Sequence, residues 1–70
     1  MKTIDKLEDI FRVDPGQRAD YKGCTIQVTY YECDGSIDTS LPGGWKVWQD
    51  GMVVLYTEDY NDLKLYFDEA

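Results

Sequence analysis

The side chains of this sequence able to do chemistry are carboxylates and aromatics: 14 Asp and Glu, six Tyr, two Trp and two Phe, with no His. A serine or cysteine nucleophile needs a neighbouring base, usually His. Ser36, Ser40, Cys24 and Cys33 therefore lack their usual activator. Lys22 stands near Cys24 in sequence, an adjacency common by chance. Paired carboxylates for glycoside hydrolysis can be drawn freely from the 14 acids, so no pair is singled out. Asp59-Tyr60-Asn61-Asp62 begins with calcium-loop spacing, but Leu63 occupies a position that needs an oxygen ligand and Lys64 one that needs glycine. Asp34-Gly35-Ser36-Ile37-Asp38 offers oxygen donors, yet a hairpin turn accounts for Asp-Gly without an ion. Gly43-Gly44 lacks the Lys-Ser or Lys-Thr of a phosphate loop and precedes a strand pattern, not a helix. The residues specify no reaction, metal or cofactor, so the reading is a non-enzyme.

The charge says more. Seven Lys and Arg against the 14 acids give a net charge of −7 and a pI near 4.2. Direct binding to nucleic acid or an anionic membrane needs Lys and Arg clusters, and none is present. The N-terminal residues carry charges every few positions, and the longest apolar run, Met52 to Tyr56, is far short of the ~20 residues that span a bilayer. A cytoplasmic protein is expected. With 70 residues there is room for one domain and little core to spend on a large cleft. Cys24 and Cys33 fall on one strand pattern and lie ~30 Å apart at ~3.3 Å per residue. A disulfide requires Cα atoms within ~7 Å, so both should be free.

The elements follow from periodicity. Ile4, Leu7, Ile10 and Phe11 form a helical stripe, which predicts an amphipathic helix over 3–13, capped by Thr3 or by Asp5 with Glu8 and ended by Pro15-Gly16. Residues 14–22 read as a polar connector. From Gly23 to Cys33, Cys24, Ile26, Val28 and Tyr30 alternate with polar residues as a half-buried strand does. Asp34-Gly35 predicts a two-residue turn, with Ser36–Thr39 pairing briefly beyond it. Ser40-Leu41-Pro42-Gly43-Gly44 reads as a loop. Trp45–Trp48 and Met52–Thr57 form a second hairpin around Gln49-Asp50-Gly51, with Trp45 and Trp48 on opposite faces. Leu63, Leu65 and Phe67 favour a last strand, although Tyr60, Leu63 and Phe67 also fit one side of a short helix. The expected fold is α+β, one domain over residues 1–70, with an N-terminal amphipathic helix on an antiparallel sheet of four or five strands.

The acids are unevenly spread. Residues 1–35 hold seven acids and five bases; residues 36–70 hold seven acids and only Lys46 and Lys64. Glu32, Asp34 and Asp38 cluster at one hairpin, Asp50 sits at a turn, and Glu58, Asp59, Asp62, Asp68 and Glu69 crowd the C-terminal end. Tyr31, Trp48, Tyr56 and Tyr60 are interleaved with them. Exposed aromatics within an acidic rim are the usual make-up of a protein-binding surface. Carboxylates two residues apart on a strand are ~7 Å apart, comparable to successive phosphates of a nucleic-acid backbone. Such an array would be drawn to a basic cleft and weakened by salt.

The whole chain resembles the small acidic anti-CRISPR proteins of phages, inhibitors of type I surveillance complexes among them. The resemblance rests on length, the Met1-Lys2-Thr3 start, the missing His and the acidic series interleaved with aromatics, not on a shared motif. It implies a stoichiometric, monomeric inhibitor, some members of that group acting as DNA mimics, whose partner is a basic nucleic-acid-binding protein such as a Cas complex. The residues assigned to partner binding are Glu32, Asp34, Asp38, Asp50, Glu58, Asp59, Asp62, Asp68, Glu69, Tyr31, Trp48 and Tyr60. Two other readings share this signature. One is an immunity protein or antitoxin capping a basic toxin. The other is an accessory subunit, acidic for solubility, that binds through an apolar patch of Trp48 and Tyr31.

Overall fold

The computed structural model describes residues 2–70 of the chain. Five strands form one sheet in sequence order: β1 (Lys2–Thr3), β2 (Arg18–Tyr21), β3 (Cys24–Cys33), β4 (Ser36–Gln49) and β5 (Met52–Thr57). A 3-10 helix (Leu7–Arg12) joins β1 to β2, and one short α-helix, α1 (Tyr60–Tyr66), follows β5. The sheet is mixed, because β1 runs parallel to β2, while the other three pairings are antiparallel.

Three hairpins are closed by Lys22-Gly23, Asp34-Gly35 and Asp50-Gly51. Both residues of each pair have positive φ, at 48° and 79°, 51° and 80°, and 54° and 78°. This is the type I′ signature, whose twist matches that of the flanking strands. The expected Asp34-Gly35 turn is present, and the connection after Trp48 is two residues long, since Gln49 still belongs to β4. Residues 14–22 are not merely a connector. They contain β2, where Ala19 and Tyr21 are buried in alternation.

The expected N-terminal amphipathic helix is replaced by the 3-10 helix. The buried residues are Ile4, Leu7, Ile10 and Val13, a strict repeat of three, and Phe11 is left exposed. In a 3-10 helix residues i and i+3 eclipse one another, which stacks Leu7 over Ile10, while Ile4 and Val13 are buried from the non-helical residues on either side. The Asp9 N–H donates to the Lys6 carbonyl and that of Val13 to Ile10, both i to i−3 bonds.

The expected last strand is instead α1. Asp59 caps it, its carboxylate accepting from the Asn61 N–H at 2.9 Å. It ends in a Schellman motif: Glu69 N–H donates to the Lys64 carbonyl, Asp68 N–H to that of Leu65, and Asp68 takes a positive φ of 59°. The helix sets Leu63 fully into the core, with Tyr60 and Phe67 packed around it and Leu65 outside. A helix this short is held by that contact, not by its own propensity.

The 3-10 helix and α1 cover the same sheet face. Ala19, Tyr21, Cys24, Ile26, Val28, Trp45 and Val47 line that face and complete the core. The opposite face is uncovered. There the register puts Arg18, Gln27, Lys46 and Tyr56 in one row and Asp20, Thr25, Trp48 and Val53 in the next. Trp48 donates its indole N–H to the Gln27 side chain at 3.0 Å, with the Arg18 guanidinium 5.1 Å from its ring centroid. Trp45 and Trp48 thus point to opposite faces, as their spacing requires.

The expected loop Ser40–Gly44 is part of β4. Two register irregularities absorb the extra residues, since Gly44 faces Thr29, Pro42 faces Tyr30 and Asp38 faces Tyr31. Proline within a sheet is confined to edges and bulges, and Pro42 occupies such a bulge. A Cβ on Gly43 would overlap the Tyr30 carbonyl, so this crossing requires glycine. Beyond the bulge β3 and β4 continue as a two-stranded arm. Cys24 is buried, Cys33 lies exposed on the arm, and both are free thiols.

Candidate functional site

Residues 30–42 of the arm are all exposed. No Lys or Arg lies between Lys22 and Lys46, so the arm is acidic along its whole length. Its apolar side chains lie outside the core: Tyr30, Tyr31, Ile37 and Leu41 are 44, 43, 61 and 48% exposed. Exposed apolar side chains of this kind are a common component of interaction surfaces.

Asp38 is held by its own bulge. Its carboxylate accepts from the Ser40 hydroxyl at 2.5 Å and the Ser40 N–H at 2.9 Å. Those two bonds, the hydroxyl foremost, keep its pKa below the ordinary aspartate value. Asp38 is therefore a fixed anion. Asp34 occupies the turn at the tip, with the Cys33 thiol 3.8 Å from its carboxylate. Glu32 and Asp34 line a shallow groove with Tyr30, Ile37 and, from the body of the sheet, Lys46, Tyr56 and Glu58. The arm and the end of β5 thus bring together Glu32, Asp34, Glu58 and Tyr56, with Asp38 and Tyr31 on the same hairpin.

The other expected site residues are dispersed or committed to the fold. Asp50 lies in the turn at the opposite end of the sheet, beside the Lys22-Gly23 turn. Asp68 is the left-handed residue that stops α1. Glu69 accepts from the Tyr21 hydroxyl and from Lys22 Nζ at 3.0 Å. Those hydrogen bonds, Tyr21 first, hold its carboxyl below the ordinary glutamate range. Burial, and then the Glu69 hydrogen bond, push the Tyr21 phenol up. Asp59 caps α1, and Asp62 accepts from the buried Thr57 hydroxyl at 2.7 Å. Tyr60 packs on Phe11 and Trp45, with ring centroids 4.7 and 6.1 Å away. Trp48 stands on the uncovered sheet face. The nine acids therefore do not form one face: the two ends of the sheet each hold a group, and Asp59 and Asp62 serve the helix.

Sequence reasoning left Tyr30, Ile37, Leu41 and Lys46 out of the site. The signal for Tyr30, Ile37 and Leu41 was the uninterrupted absence of bases from 23 to 45, which marks the whole hairpin and not its acids alone; nothing in the sequence pointed to Lys46. The groove between the 3-10 helix and α1 differs in kind. It is lined by Lys6, Arg12 and Lys64 as well as Glu8, Asp9 and Glu69, so its charges balance.

Among the described residues no group of three His, Cys, Asp or Glu side chains is placed to hold a metal ion, and no helix is long and apolar enough to cross a membrane. Comparison of the chain with protein-family models, curated proteins and solved structures finds no match.

Proposed function

We propose that this chain is a non-catalytic inhibitor that binds a basic, nucleic-acid-handling protein through its acidic arm. One observation carries the reading. A two-stranded arm holds Glu32, Asp34 and Asp38 beside four exposed apolar or aromatic side chains, with no base among them. An arm of this kind adds nothing to the core, and its apolar groups are the usual anchors of a protein interface. The carboxylates steer association with a positively charged cleft and compete with nucleic acid for it. The resemblance to anti-CRISPR proteins makes a Cas surveillance complex in a bacterial cytosol the first partner to test, with the chain acting as a monomeric DNA mimic.

The test is capture of partners from a bacterial lysate, with stepped-salt elution and duplex DNA as competitor. The parent chain is compared with the triple variant Glu32→Lys, Asp34→Lys, Asp38→Lys. The expected partner elutes with salt, is displaced by DNA and is absent from the variant's eluate. Reversing Glu58, Asp59 and Asp62 instead would confuse binding with folding, because Asp59 and Asp62 hold α1 in place. Undiminished capture by the arm variant overturns the reading. A folded toxin as the sole partner would move the assignment to an immunity protein, and a salt-resistant partner to an accessory subunit.

A further inference from the structure

Strand β5 ends the sheet, pairing with β4 on one side and with no strand on the other. Half of its backbone N–H and C=O groups therefore face outward as a template for another strand. Proteins usually blunt such an edge with Lys, Pro, a bulge or a covering element. Met52-Val53-Val54-Leu55-Tyr56-Thr57 has neither Lys nor Pro, and no charge, in a chain that is 30% charged. Its side chains at 52, 53, 54 and 56 are exposed, while α1 is drawn onto the core face by Leu63. One bulge interrupts β5 at Val54, between the pairs Val47–Leu55 and Trp48–Val53. The stretch from Leu55 onward is unbroken, and it leads to Glu58 and the groove it shares with Glu32, Asp34 and Lys46, three acids against one base.

We infer that the β5 edge accepts an added strand, a short extended segment of a partner whose apolar residues lie beside Leu55–Thr57 and whose Lys or Arg residues reach Glu58, Glu32 and Asp34. Main-chain hydrogen bonds supply the affinity of such additions and side-chain pockets their specificity. Charge decides the occupant. Were two copies to pair antiparallel in full overlap, Met52 opposite Thr57, then Asp50 would face Asp59 and Glu58 would approach the same turn, each chain carrying −7. A basic segment meets the opposite charge at those positions. The inference takes the basic nature of the partner from the function proposed above and shares Glu32 and Asp34 with it, but places the main-chain contact on a different element, β5.

The experiment is amide hydrogen exchange across residues 52–58 of the full chain, with and without a synthetic peptide of alternating Val and Thr flanked by Lys. The expected result is protection of alternate amides in this stretch. Affinity should fall about tenfold when alternate peptide amides are N-methylated, since one or two main-chain bonds are lost, and also when Glu replaces the flanking Lys. Absence of protection, or equal binding by the N-methylated peptide, overturns the inference. Protection that rises with protein concentration alone also overturns it, assigning the edge to a second copy. The arm variant separates the two proposals. If it loses its lysate partner while the peptide protects no β5 amide, the arm stands and the edge falls. If it keeps that partner while β5 is protected, the edge stands and the arm falls.

Discussion

The β3–β4 hairpin has two halves made of the same two strands in different surroundings. In the inner half Cys24, Ile26, Val28, Trp45 and Val47 are buried under the 3-10 helix and α1. In the outer half, from Tyr30 to Pro42, every residue is exposed. Alternation of apolar and polar residues continues past Val28 into Tyr30, yet burial stops there, because the 3-10 helix and α1 cover only the inner strands and Tyr30 meets just the Gly16 turn. The inner half thereby holds the fold, and under the function proposed above the outer half meets a partner.

The largest test of that division is Leu63→Ala, which empties a fully buried site between α1 and the sheet. A loss of about 2–5 kcal/mol is expected in denaturant unfolding, a large part of the stability of so small a domain. Gly43→Ala tests the junction itself. The new methyl overlaps the Tyr30 carbonyl, and overpacking of this sort costs about 1–3 kcal/mol. Asp59→Ala removes the cap of α1 and should cost about 1 kcal/mol, read as a lower denaturation midpoint with an unchanged slope.

A pH test follows for the end of the sheet away from the arm. Glu69 has a lowered folded pKa, so its contribution is fully present above the unfolded glutamate value of about 4.3 and is lost as pH falls through the folded value. The Tm difference between the parent and Glu69→Gln should persist at neutral pH and shrink below about pH 4. Lys22 and Tyr21 have raised folded pKa values, Lys22 chiefly through the hydrogen bond to Glu69 and Tyr21 chiefly through burial. Their contributions are present below about pH 10 and decline as pH rises through the folded values. The smallest expected effect is in the arm. Glu32→Lys, at an exposed position with no side-chain hydrogen bond, should change stability by no more than about 0.5 kcal/mol. A larger loss in thermal unfolding would show that the arm is part of the fold after all.

Much of the sheet is legible in the sequence. Alternation marks β3, Asp-Gly marks two of the three turns, and the odd spacing of Trp45 and Trp48 fixes their faces. The misreadings have particular causes. Ile4, Leu7 and Ile10 fit both a 3.6-residue and a 3-residue repeat, and the chain takes the 3-10 form over Leu7–Arg12, leaving Phe11 exposed. Pro42 and two glycines look like a loop because a bulge uses the same residues. Asp59-Tyr60-Asn61-Asp62, read as a failed calcium loop, is an N-cap followed by an acid three residues later. Of the site, the acids of the arm were legible and the dispersal of the others was not, since composition has no direction in space.

The sequence alone determined the sign of the surface, the absence of histidine chemistry, two of the three hairpin turns and the strand faces. These are local properties: charge, side-chain type, backbone preference at glycine and the two-residue period of a strand. Tertiary structure decided which acids stand together, that residues 60–66 are a helix, and that the β5 edge is left unpaired. Each of these depends on contacts between segments distant in the chain. Leu63 filling the core, Glu69 reaching Tyr21 and Lys22, and the arm projecting past its covering helices are settled only once the whole chain has packed.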